Sequence, residues 1–142
     1  MKISVDALKT IEALRKIDKR IPDAMQFATQ QVGMAATSEM KKQITGGHKA
    51  GTPTPSVIGS PPTNITGNLR RAIRATYPIG FRGYSVIVGS FAIYARQVEQ
   101  GGGNWRNGAR YPFVEPTARI MLQEKKAQNI YSRAIRKALD SK

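Results

Sequence analysis

Basic and aromatic side chains lie close together at two places in this 142-residue sequence. Arg70, Arg71 and Arg74 form one group, and Arg106 and Arg110 flank Trp105 and Tyr111 in the other. A guanidinium fork matches phosphate oxygens, and an aromatic face can stack on a base. The chemistry on offer is therefore recognition of a polyanion. Covalent catalysis has far less to work with. His48 is the single histidine and stands in a Gly/Pro-rich stretch, and there is no cysteine. The nine acids are scattered; they form no carboxylate pair and no cluster at metal-ligand spacing. Neither a G-x-x-x-x-G-K-[ST] loop nor a G-x-S-x-G elbow occurs, and Gly101–Gly103 opens no helix that could cradle a phosphate. The sequence predicts no catalytic residue, no metal site and no cofactor.

The charge balance agrees with a polyanionic neighbour. The chain carries 23 Lys+Arg against 9 Asp+Glu, formally +14. Residues 1–45 are net +3, residues 46–114 net +7 and residues 115–142 net +4, so the excess peaks in the middle. Such a field attracts phosphate or an acidic protein surface and repels copies of itself. The bland alternative is a solvated basic surface. A hydrophobic share of 40% is that of a globular chain. No apolar run reaches the ~18–20 residues of a membrane span. MKISVDALKTIEAL has no apolar signal core, so the expectation is a protein that stays in the cytosol where it is made. The lack of cysteine permits a reducing compartment.

The elements that must position these residues follow from periodicity. Lys2–Val5 reads as a short strand. Leu8, Ile11, Leu14, Ile17 and Ile21 recur at helical spacing. Pro22 and Asp23 suit the start of a second helix, which should run to Ile44 with Met25, Ala28, Val32, Ala35, Ala36 and Met40 inward. Gly46-Gly47 ends it. Residues 46–66 then form a long Gly/Pro-rich loop, expected to be flexible or ordered only by a partner. Leu69, Arg71, Ile73, Ala75 and Tyr77 alternate imperfectly, and Ser85–Val88 is β-rich. The two stretches read as an antiparallel hairpin carrying Arg70, Arg71 and Arg74 on its first strand. Ala92–Gln100 reads as a short helix, and Pro116 to Leu139 as one final helix. The fold expected is α+β: one domain over residues 1–142, with a small, mainly antiparallel sheet packed by a long N-terminal helix pair and a C-terminal helix.

One residue in the basic loop at 100–110 and one just before it stand out. Trp105 has glycines around it and few packing partners within its own loop. It is a buried anchor in a neighbouring subunit, a base-stacking platform, or a side chain packed back on its own domain. Tyr77, Tyr94 and Phe113 are expected in the core. Glu99 is the sole acid between Glu39 and Glu115. Either it makes a surface ion pair with Arg96 or Arg110, worth about 0–1 kcal/mol, or it fixes the basic loop through a partly buried arginine contact.

Three segments in order resemble a known family. Thr66-Gly67-Asn68-Leu69-Arg70-Arg71-Ala72-Ile73 looks like a "TGxLrrsI" motif. Tyr94-Ala95 with Val98-Glu99-Gln100-Gly101 looks like "YAxxvExG". Tyr111-Pro112-Phe113-Val114-Glu115-Pro116-Thr117 is similar to "rPFlrPA" before a C-terminal helix. Together they resemble the tail-completion or head–tail joining (neck, minor tail) proteins of long-tailed bacteriophages and prophages, over nearly the whole chain. Two departures are the long loop before Thr66 and threonine instead of alanine at 117. The resemblance implies a structural virion protein, made in the host cytoplasm. It would form a homo-oligomeric, sixfold ring with other neck and tail proteins around the DNA channel. Trp105, Arg106, Arg110, Glu99 and Tyr111 would then be subunit or partner contacts, and Arg70, Arg71, Arg74 and Arg82 candidates for the DNA-facing wall. No membrane is implied. The alternative from composition is a free-standing basic nucleic-acid-binding module.

Overall fold

The computed structural model describes residues 2–7, 11–12, 19–44, 48–49, 52–53, 57–62, 67–78, 83–101 and 108–141. The fold is α+β. Strand β1 is Lys2–Asp6, and the long helix α1 is Ile21–Gln43. The pairs β2 (His48–Lys49) and β3 (Thr52–Pro53) make a minimal antiparallel ladder. A single helical turn, α2 (Asn68–Arg71), leads into β4 (Ile73–Thr76). Next come β5 (Ser85–Ser90), α3 (Ala95–Gln100) and α4 (Val114–Ala118). A π-helical stretch at Arg119–Gln123 then precedes α5 (Lys126–Asp140).

The main sheet has the order β1-β5-β4, antiparallel throughout. The central strand reads SVIVGS and is buried along almost its whole length. Its neighbours alternate: Ile3 and Ile73 point into the core, whereas Lys2, Ser4, Arg74 and Thr76 are exposed. Helix α1 covers the inner face. Met25, Ala28, Val32, Ala36 and Met40 are buried at helical spacing, as the periodicity predicts, and Pro22 lies in its first turn with Lys41 and Lys42 in its last. Pro22 suits the fixed φ of a first turn, and Asp23 there with the two lysines at the far end suits the helix dipole. Gly33 permits the close crossing, because a Cβ there would stand 2.9 Å from Val86 Cγ2 and 2.5 Å from Tyr77 Oη. Val32, Met40 and Ile44 join Ile3, Ile73, Val86, Val88, Phe113 and Met121 in one core. A smaller cluster of Ile11, Ile21 and Met25 packs with Tyr84, Tyr131 and Ile135.

Some expectations change. Asn68–Arg71 is helical, so Arg70 and Arg71 precede the strand and only Arg74 lies on it. Ala72, which breaks the alternation, is the junction: its carbonyl accepts from Phe91 N at 3.0 Å. Within the 46–66 stretch, β2 pairs with β3, and a turn at Val57–Ser60 docks on the body through Gly59 N donating to Arg110 O at 2.9 Å. Tyr77 and Tyr94 are 37% and 39% exposed rather than core residues, although Phe113 is fully buried as expected. Of the stripe expected for the first helix, Ile11 and Ile21 lie among the described residues; Ile11 and Glu12 are helical, and Ile21 opens α1.

The final helix, continuous in the sequence pattern, is broken. Lys125 has φ 60°, the sole non-glycine in the left-handed region among the described residues, which costs about 1–2 kcal/mol for an L-residue. Packing offsets this. The break brings Lys126 Nζ to 2.5 Å from Glu39 Oε1 on α1, and α5 lies along α1 with Tyr131 Oη 2.9 Å from Thr29 Oγ1. The hydrogen bond from Lys126, and then that from Lys42, holds the Glu39 carboxyl below its ordinary range, against a smaller opposing effect of burial. A depressed folded-state pKa adds stability above the unfolded value of 4.5, and that stability is lost as pH falls through the folded value. Thermal melts from pH 7 to pH 3 should show Glu39→Gln about 1–2 kcal/mol less stable than the parent at neutral pH. The two should converge at the acid end. A constant gap at all pH values would remove the ionised pair as the cause.

Candidate functional site: the neck of the basic loop

Helix α3 carries Ala95 and Val98 into the core, and Glu99 follows them to 1% exposure. A carboxylate so deep needs donors, because burying it unpaired is prohibitive. The donors are backbone. Glu99 Oε2 accepts from Phe113 N at 2.6 Å and Val114 N at 2.9 Å, and Oε1 accepts from Glu115 N at 3.0 Å. These are the free N–H groups at the start of α4, whose cap residue Phe113 supplies no side-chain cap. An acid from another helix thus caps α4 and stands at the positive end of its dipole.

Neither ionic reading of Glu99 holds. Arg96 Nε donates to Gln100 Oε1 at 3.2 Å. Arg110 pairs with Glu115 at 2.5 Å, both side chains about half exposed, and Arg119 lies 4.0 Å from the same carboxylate. Among the described residues Glu99 holds the chain leaving the basic loop through three main-chain amides and no arginine.

Around this carboxylate the chain entering and leaving the loop is pinned. Tyr111 N donates to Val98 O at 2.7 Å, and Gly101 N to Gln97 O at 2.8 Å. Gly101 has φ 68° and ψ −166°, a region essentially reserved for glycine. A Cβ there would collide with the carbonyl oxygen of Gly108. Tyr111 is buried in the core, so it serves the neck's interior and offers no surface to a partner, which corrects its expected role. Thr117, standing where the resembling motif has alanine, is fully buried and donates its hydroxyl to Phe113 O at 2.7 Å. Its extra polar group is therefore satisfied. Trp105 and Arg106 lie outside the described residues.

The arginines expected at the channel separate. Arg71 Nη2 donates to Asn68 Oδ1 at 2.5 Å. Arg70 is exposed on the same turn, and Arg82 lies outside the described residues. Arg74 is stacked, its guanidinium carbon 4.2 Å from the centre of the Phe91 ring, with Lys2 Nζ 5.3 Å from the same ring. Nothing in the local sequence pattern marks Lys2 or Phe91 for this contact. Their meeting depends on β1 pairing with β5 rather than with β4, and no local pattern encodes that choice. The neck can position a segment and the arginine–aromatic row can meet an anion.

Among the described residues no group of three His, Asp or Glu side chains could hold a metal ion, and no helix is long and apolar enough to cross a membrane. Comparison with protein-family models, with curated proteins and with solved structures finds no match for this chain.

Proposed function

We propose that this chain is a non-enzymatic structural protein of a long-tailed phage or prophage virion. It forms a ring at the head–tail junction or tail end, joins tail to capsid and surrounds the DNA channel. One observation carries most of the support: the three segments that resemble family motifs form one mutually dependent unit. Leu69, Ala95, Val98, Phe113 and Val114 share a core, and Glu99 of the second segment caps the helix of the third. That unit holds both ends of a basic, glycine-rich loop rather than a reactive group. A closing ring needs a surface on one subunit to fit a different patch on the next. A loop carried on a rigid base, with Trp105, Arg106 and Arg110 on it, suits such a contact.

Mixing the purified full chain with tail tubes that lack it should give rings, visible by electron microscopy and by sedimentation. A chain that ignores tails, stays monomeric and binds DNA tightly with steep salt dependence overturns this reading in favour of the nucleic-acid module.

A further inference from the structure

The outer face of the main sheet carries a row of two cations and one aromatic ring. The register aligns Lys2, Gly89 and Arg74 across the three strands. Phe91, two residues beyond Gly89, returns to the same face. Gly89 sends no side chain into the row, and the Phe91 ring occupies that space with both cations against it. Among the described residues neither Lys2 nor Arg74 has a carboxylate partner. Arg70 is exposed at the same end of the sheet, because Phe91 N bonds to Ala72 O and Ser90 Oγ to Leu69 O at 3.2 Å. Helix α1 packs on the opposite face, and this one has exposed side chains along both outer strands.

We propose that this face binds the phosphate backbone of duplex DNA, with Lys2 and Arg74 as the phosphate contacts and Phe91 as their brace. Charge complementarity selects the occupant: the row is purely cationic on a chain of net +14. The same cationic face of a second copy is repelled from it, so ring contacts must use other surfaces. The brace selects phosphate contact over base stacking, since the ring is already engaged by both cations and holds them at fixed positions. The proposal deepens the reading above, on which it rests for the source of the DNA.

The test is titration of the full chain with a labelled random-sequence DNA duplex over a range of salt. Lys2→Gln and Arg74→Gln should each weaken binding by about three- to tenfold. Each should also lower the slope of log K against log salt by about 0.9. Phe91→Leu should leave the slope unchanged and weaken binding by about two- to fivefold, the worth of an exposed cation–π contact. Arg136→Gln on α5, behind α1, supplies the same charge change elsewhere. If Lys2→Gln and Arg74→Gln match Arg136→Gln, the proposal is overturned. It is equally overturned if single strands bind more tightly than duplex and Phe91→Leu alone abolishes that binding, the behaviour of a stacking platform. Rings formed by Lys2→Gln and Arg74→Gln with parental DNA affinity leave the assembly reading standing without this face. Salt-sensitive loss of binding in a chain that never forms rings does the reverse.

Discussion

Glu99→Ala should destabilise the protein by about 3–4 kcal/mol and lower its melting temperature by about 12–16 °C. The figure follows from what the truncation leaves behind. Three amides, Phe113 N, Val114 N and Glu115 N, lose the carboxylate that accepts from them. A buried donor left without a partner costs about 1–3 kcal/mol. Some of that returns as water enters the space, so the sum of three full penalties is an upper bound. For a chain of this size each 1 kcal/mol moves the midpoint by about 4 °C.

Glu99→Gln keeps the volume but replaces one acceptor oxygen by an NH2 group that only donates. Its oxygen can stay with Phe113 N and Val114 N, and its amide group then faces Glu115 N, donor against donor. A loss of about 2 kcal/mol is expected, with amide exchange fastest at Glu115. Because the site is buried, high salt should not diminish either effect. The exposed Arg110–Glu115 pair, by contrast, contributes about 0–1 kcal/mol and is screened. Calorimetry showing Glu99→Ala within about 2 °C of the parent would dismiss the carboxylate as the lock.

What the sequence made legible here is uneven, and Glu99 shows why. Its isolation in a basic tract marked it as unusual, but the only partners visible in a sequence are side chains. The backbone amides that hold it become available only when α4 starts beside α3, which is a tertiary fact. Helix α1 was legible almost to the residue because its stripe, proline and terminal charges all agree. The last helix was not. Its pattern from Pro116 onward is continuous, and the break at Lys125 depends on Glu39, distant in sequence, capturing Lys126. Asn68–Arg71 failed for a local reason: over so few residues one helical turn and one strand present the same apolar positions, Leu69 and Ile73, to the core. The Lys2–Phe91–Arg74 row failed because strand order, not strand identity, creates it.

Gly101→Ala carries the second large effect, and its consequences should be local. Two penalties act at this residue. The backbone conformation, φ 68° and ψ −166°, strains any side chain by about 1–3 kcal/mol. The added Cβ also meets backbone rather than a yielding side chain: the Gly108 carbonyl oxygen, and Ala109 C and O at 3.1 Å each. To relieve the collision, residues 108–109 must move away from the end of α3. Two ties resist that movement, the Tyr111 N to Val98 O bond of 2.7 Å and the buried Tyr111 ring. Gly108→Ala separates the penalties, because Gly108 also has positive φ, 76°, yet a Cβ there meets nothing within 4 Å. Gly108→Ala should therefore cost about 1 kcal/mol and Gly101→Ala about 3 kcal/mol or more. Amide protection in Gly101→Ala should fall first at Gly101, Tyr111 and Phe113, while Val32 and Ala36 in α1 keep theirs. Equal stability of the two variants would show that the neck yields easily. If the neck aims the basic loop at its partner, Gly101→Ala should lose ring formation at temperatures where the chain is still folded. Gly108→Ala should keep it, since the neck's closest backbone contact is then intact.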